Sequence, residues 1–135
     1  MQQTDHFLGE PVLSPDPDGV HWKLLQDFHY SMDDENGVGL ITVTAGLVTD
    51  FASVPRLFWN IFPPWGQYGN SAILHDALYQ RQTYTKEKSD RIFLDAMYCQ
   101  GVGYLTRWTI YWGVRLGGQA AWDGHTKENK ARGKI

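Results

Sequence analysis

The chain carries one cysteine, Cys99, in 135 residues. That excludes an internal disulfide and any all-cysteine zinc site, and a lone thiol suits a reducing compartment. No apolar run approaches the length that crosses a bilayer, so no transmembrane segment is expected. The start, Met-Gln-Gln-Thr-Asp-His, has neither the basic opening nor the apolar stretch of a secretory leader, and none is expected. Positive charge is also short. Twelve Lys and Arg face fifteen Asp and Glu, for a formal net charge of -3. No basic stripe occurs before the last ten residues, which argues against a nucleic-acid partner. There is no internal repeat and no domain linker. The length fits one domain with a sizeable core.

Aromatic residues, in contrast, are plentiful. They make up 14% of the chain, with six tryptophans, four of them from Trp59 to Trp112. Such density means an aromatic core or an aromatic surface that touches something. Trp59, Trp108 and Trp112 are expected in the core.

Residues 1–19 are polar, contain Pro11, Pro15 and Pro17, and read as an N-terminal arm. Residues 20–122 read as a single globular α+β domain. His21 to Tyr30 has strand character, with Trp22, Leu24 and Phe28 on one side. Residues 31–39 form an Asp-, Asn- and Gly-rich turn, and Leu40 to Thr44 is a β-branched strand. Leu47 to Thr49 can add a short strand. Ser53 before Val-Pro signals a helix start, with Arg56 to Phe62 as a short helix ended by Pro63-Pro64. Trp65 to Asn70 is a glycine-bearing loop. A helix over Ser71–Tyr79 follows, capped by Asn70 or Ser71. A second, capped by Thr85, ends at Gly101, and a third runs from Tyr104 to Leu116 before Gly117-Gly118. Residues 123–135 read as a mobile, polar, basic tail. The expected architecture is a small antiparallel sheet packed on three C-terminal helices.

The densest chemistry lies between Ser71 and Met97. Ile73, Leu74, Ala77 and Leu78 form an apolar stripe, with His75 beside it and Tyr79 one turn on. On the next helix Phe93, Leu94 and Met97 share a face with Asp90. A short loop makes the helices antiparallel neighbours, so His75 and Asp90 can meet across the seam. An imidazole whose tautomer a carboxylate fixes is the core of a general base. The same pair can equally satisfy each other in a core.

Other residues have two readings each. Asp76 points about 100° away from His75 on the helix. It can bind a hard cation, with calcium the natural choice, or pair with Arg56 or Arg81. A zinc site from His75, Asp50 and Asp90 is a further arrangement. Asp50 and Arg56 can line a site or pair to hold the sheet. Ser53 can cap a helix or serve as nucleophile to His75, although no Gly-x-Ser-x-Gly elbow surrounds it. Tyr111 and Arg115, one turn apart, can face the pair, with Tyr111 bonding to Asp90. His21, His29 and His125 show no ligand spacing.

Three ordered blocks, Thr49-Asp-Phe-Ala-Ser-Val-Pro-Arg56, His75-Asp-Ala-Leu-Tyr79 and Ser89-Asp-Arg-Ile-Phe93, with Arg115-Leu-Gly-Gly and Trp122 downstream, resemble the phage and prophage family called domain of unknown function 1353. The resemblance implies a bacteriophage setting, in the host cytoplasm during infection or in the virion, and no known activity. The helix pair alone also resembles that of the phospholipase A₂ enzymes. That resemblance implies His75 as the water-activating base, Asp90 as its carboxylate and Tyr79 as the group that steadies the dyad. It further implies Asp76 as a calcium ligand, with Gly66 and Gly69 in the loop whose carbonyls complete the site. Leu78 stands where that motif has cysteine, and the calcium-loop consensus is only partly present.

Two functions follow as expectations: a phospholipid-directed ester hydrolase, or a non-catalytic virion or tail component in which the pair braces the helices. They part on solvent access to His75. An open cleft fits the enzyme, and a sealed imidazole fits the scaffold.

Overall fold

Alternation of apolar and polar residues sets the first half. In Phe28-His-Tyr30 and Ile41-Thr-Val43 every second side chain is buried, the period of a strand with one covered face. The computed structural model describes residues 6–34, 37–51, 53, 59 and 68–133. Its contacts divide the chain into two units, Met1–Asp50 and Phe51–Ile135.

Among the described residues the first unit holds six strands: β1 (His6–Leu8), β2 (Leu13–Pro15), β3 (Trp22–Leu24), β4 (Phe28–Asp34), β5 (Gly37–Val43) and β6 (Val48–Thr49). They form two three-stranded antiparallel sheets, ordered β1-β4-β5 and β2-β3-β6. In the β4–β5 hairpin Phe28 faces Val43 and Tyr30 faces Ile41. Phe7 of β1 sits 4.9 Å, centroid to centroid, from Tyr30. Cross-strand pairs of this kind stabilise a sheet by roughly 0.2–1 kcal/mol each. On the other face His29 Nδ1 meets Thr42 Oγ1 at 2.9 Å.

The α+β class is as expected, and the details differ. The expected arm supplies β1 and β2. The strand expected over His21–Tyr30 is split between the two sheets. The expected turn over 31–39 is mostly strand, with Ser31 to Asp34 paired to Leu40 to Gly37 in the β4–β5 hairpin.

The second unit holds α1 (Gly69–Arg81), α2 (Lys86–Cys99), α3 (Tyr104–Gly117) and α4 (Gln119–Ala131). Thr85 caps α2 as expected, its Oγ1 accepting from Lys88 N. Neither Asn70 nor Ser71 caps α1. Tyr68 occupies that position, and Ser71 donates from N and Oγ to Gln100 Oε1 at the end of α2. Every residue of α1 from Ser71 to Tyr79 is buried, so it is the central helix, in contact with α2 and α4.

Among the described residues four helices stand where three were expected, since residues 119–131, most of which were read as a tail, are helical. Apolar periodicity does not mark α4 because polar bonds hold it. Gln82, left-handed at φ 53° after α1, donates from Nε2 to Trp122 O and Thr126 Oγ1, both at 2.9 Å. Buried Asn129 donates from Nδ2 to Gln80 O at 2.9 Å. The two hydrogen bonds from Gln82, at about 1 kcal/mol each, offset its left-handed backbone. The helix expected over 56–62 lies outside the described residues.

Candidate functional site

The loop of residues 82–85 carries the chain from α1 to α2 and brings Asp90 to the α1 face that bears His75 and Tyr79, one turn apart. His75 Nε2 lies 2.7 Å from Asp90 Oδ1, and the Tyr79 hydroxyl donates to the same oxygen at 2.6 Å. The other oxygen, Oδ2, accepts from Lys86 Nζ at 3.0 Å and Arg115 Nη1 at 3.1 Å. Lys86 Nζ also donates to the Val114 and Arg115 carbonyls, at 3.1 and 3.2 Å. These belong to the last turn of α3, where carbonyls lack helical partners and cations are favoured. One carboxylate thus ties α1, α2 and α3 together.

Asp90 itself is 0% exposed. Burial alone would push its carboxyl up, yet His75, Tyr79 and Lys86 outweigh burial and hold it down at about 2. It stays ionised because its donors prefer the charged form. Burial, and next Asp90, push the Tyr79 hydroxyl well above its ordinary range, so it remains a donor.

His75 is 0% exposed as well. Its ring stacks on Phe93, with centroids 4.3 Å apart and planes 20° apart, and lies 4.3 Å from the Tyr79 ring. Trp122 meets the Tyr79 ring edge-on at 5.1 Å. The second ring nitrogen, Nδ1, is buried and has no hydrogen-bond partner among the described residues. A surface groove of about 380 Å³ is lined by Thr85, Glu87, Lys88, Arg91 and Tyr111, and neither His75 nor Asp90 forms part of its wall.

Asp76 turns to the other side of α1, toward the segment that precedes the helices. Its Oδ2 accepts from Phe51 N at 3.1 Å, and its Oδ1 accepts from Ser53 N at 3.3 Å and from the Ser53 hydroxyl. Asp76 is 4% exposed. Phe51 sits at φ 60°, a left-handed conformation that is unusual for a bulky residue. The carboxylate holds this bend by accepting from its N–H groups.

The structure therefore joins His75, Asp90, Tyr79 and Arg115 in one cluster, and Asp76 with Ser53 in another. Tyr111 is buried but packs on Trp108 and Trp112, and it is not among the donors to Asp90. Ser53 bonds to Asp76 rather than to His75. Asp50 belongs to the N-terminal unit. Gly69 is the first residue of α1, whereas Arg56 and Gly66 lie outside the described residues. Among the described residues no group of three His, Cys, Asp or Glu could hold a metal ion. Trp112 is 54% exposed, which overturns its place in the expected core. Sequence reading missed Lys86. Lys86 carried a signal, since it stands four residues before Asp90, the spacing of a helical ion pair.

The model of a family described as protein of unknown function (DUF1353) matches residues 22–114. No curated protein and no solved structure matches the chain.

Proposed function

We propose, from the premise that the chain belongs to the DUF1353 family, that it is a non-catalytic phage or prophage structural component in which the Asp90 cluster locks the helices. One observation carries this: the charge of Asp90 is already answered by two cations, Lys86 and Arg115. A dyad carboxylate has to answer the imidazolium that forms during proton abstraction. Here the single negative charge is taken up by the pairing that joins three helices. The sealing of His75 supports the same reading, since a general base must reach the water or hydroxyl it deprotonates. The phage setting is what the resemblance of the motif blocks around Asp50, His75 and Asp90 to the phage and prophage family implies. On this reading the protein belongs to the assembling particle or the host cytoplasm during infection, with virion or tail proteins as partners.

A second reading, a phospholipase A₂-like ester hydrolase, is favoured by one specific feature. His75 Nδ1 is buried without a partner, and leaving such a group unsatisfied costs about 1–3 kcal/mol. A water or ester held there would face an imidazole oriented by Asp90 and Tyr79. On that reading a calcium ion beside Asp76 would polarise the ester carbonyl, although both Asp76 oxygens already accept from N–H and O–H groups.

The test assays the purified protein on phospholipid micelles and vesicles with and without millimolar calcium, beside His75→Gln. The structural reading expects no hydrolysis above buffer, and it expects the protein in particles purified from an induced lysogen. It is overturned if the wild type hydrolyses phospholipid and His75→Gln loses more than about a hundredfold, because Gln cannot take up the proton.

A further inference from the structure

Tyr111 of α3 is 6% exposed, and its ring meets Trp108 and Trp112 edge-on, with centroids 5.5 and 5.4 Å away. Two such contacts fix where the ring points. Its hydroxyl nevertheless makes no hydrogen bond among the described residues, whereas a buried tyrosine hydroxyl usually has a partner. Tyr111 also forms part of the wall of the groove of about 380 Å³, across from Thr85, Glu87, Lys88 and Arg91 at the start of α2. The hydroxyl is the one polar atom its side chain can present there. What answers it therefore stands in the groove.

The rest of the wall indicates the chemistry of that partner. Thr85 caps α2, its Oγ1 accepting from Lys88 N and its backbone oxygen from Ser89 N. The N–H groups of Lys86 and Glu87, in the first turn, have no acceptor among the described residues. Free N–H groups and the helix dipole together favour an anion. Lys88 and Arg91 stand about one turn apart on the same wall. Arg91 is exposed and has no ion-pair partner among the described residues. Glu87 is the one acid lining the groove, and its charge also acts on Arg115. Two cations thus outweigh one carboxylate. The Thr85 hydroxyl accepts one bond and keeps its own proton to donate. Donors therefore converge from the start of α2, from its side and from α3. A phosphate monoester offers such a set three acceptor oxygens, one more than a carboxylate.

We propose that the groove between α2 and α3 binds a phosphate group, free or carried by a small molecule. Arg91 and Lys88 supply the charge, and the Tyr111 hydroxyl and the first turn of α2 supply hydrogen bonds. The volume lies at the low end of small-molecule sites and leaves room beside the phosphate for a small organic part. The site is separate from His75 and Asp90, which form no part of the groove wall. The proposal therefore holds whether the Asp90 cluster braces or catalyses.

The experiment is titration calorimetry of the full chain with inorganic phosphate and with glycerol phosphate, read beside thermal melting. Chloride at equal ionic strength is the control for screening. Phosphate should bind and raise the melting temperature above the chloride value, since a ligand of the folded state stabilises it. Affinity should fall roughly tenfold in Arg91→Gln and severalfold in Tyr111→Phe. Neither group has a hydrogen-bond or ion-pair partner among the described residues, so both variants should melt with the wild type in chloride. Tighter binding of glycerol phosphate assigns the site to a phosphorylated small molecule, and equal binding assigns it to the free ion. The proposal is overturned if neither compound binds, or if chloride raises the melting temperature as much. Equal affinity of the wild type and the Arg91→Gln/Tyr111→Phe double variant also overturns it. So does a Tyr111→Phe protein that melts well below the wild type in chloride, because the hydroxyl would then be bonded within the fold.

Discussion

Gly118 leaves the space that the Tyr79 hydroxyl occupies. A Cβ at position 118 would lie 2.8 Å from Tyr79 Oη and 2.5 Å from the Val114 carbonyl oxygen. The residue has an ordinary φ of -88°, so space, not backbone conformation, demands glycine there. The junction between α3 and α4 can approach α1 closely only because position 118 has no side chain. That approach lets Tyr79 reach Asp90 from one side while Trp122 covers its ring from the other.

Gly118→Ala should therefore destabilise the protein. Overpacking of this kind costs about 1–3 kcal/mol. Urea unfolding checks the value. The matched Tyr79→Phe variant tests the cause: without the hydroxyl, part of the penalty of Gly118→Ala should disappear. Additive losses in the double variant would place the clash on the Val114 carbonyl alone.

Asp90→Ala should be the most damaging single change in the cluster. It leaves Lys86 and Arg115 facing each other without a carboxylate, and it strips a partner from His75 and Tyr79. Removing one member of a buried charge network costs about 3–5 kcal/mol. Thermal melting should show a fall of roughly 10 °C or more. Lys86→Met should cost less, because Arg115 remains on the same oxygen. A small effect for Asp90→Ala would remove the brace reading.

Much of this cluster is legible in the sequence, and the reason is local. His75 and Tyr79 share a helix face, Asp90 shares one with Phe93 and Met97, and a short loop joins the helices. Periodicity alone then brings the three together. Lys86 is readable by the same spacing rule. What periodicity cannot supply is the contact at the far end of α3. Lys86 reaches the Val114 and Arg115 carbonyls, and Gly118 lets Tyr79 in, only after three helices have packed. The fourth helix was hidden for a related reason. Its hold on the fold runs through Gln82 and Asn129, polar residues that carry no hydrophobic signature. The two-sheet arrangement was hidden because strands of two or three residues are too short to show a period. The exposure of Trp112 was hidden because Thr106, Arg107, Thr109 and Arg115 are scattered around α3 and mark no single outward face.

Asp76→Asn tests a separate device. The carboxylate accepts from Phe51 N and from the Ser53 N and hydroxyl, and so holds a left-handed Phe51. An amide offers one oxygen and a misplaced NH₂, so at least one buried donor loses its acceptor, at about 1–3 kcal/mol. Hydrogen exchange should show faster exchange at Phe51 and Ser53, with little change in α2 and α3. If millimolar calcium raises the melting temperature of the wild type but not of Asp76→Asn, the residue is a ligand and the holding role is secondary.

The last prediction concerns acid. The Asp90 carboxyl titrates at about 2 in the folded protein, against an ordinary value of 3.8. The folded value is the lower one, so the unfolded chain binds the proton more readily. The stabilisation is then complete above about pH 4 and is lost as pH falls toward 2. Over that window the difference between the two states is worth about 2 kcal/mol. The measurement is urea unfolding of wild type and Asp90→Asn across that range. The wild type should lead at pH 5, and its lead should shrink by about 2 kcal/mol by pH 2. Asp18 also titrates at about 2, held down by the backbone N–H groups of His21 and Val20 and by the His21 side chain. It is present in both proteins, so its effect cancels in the difference. A lead that stays constant would mean that the four donors do not favour the ionised form. A lead that grows as pH falls would reverse the sign, and Asp90 would then be a carboxylic acid held neutral by burial.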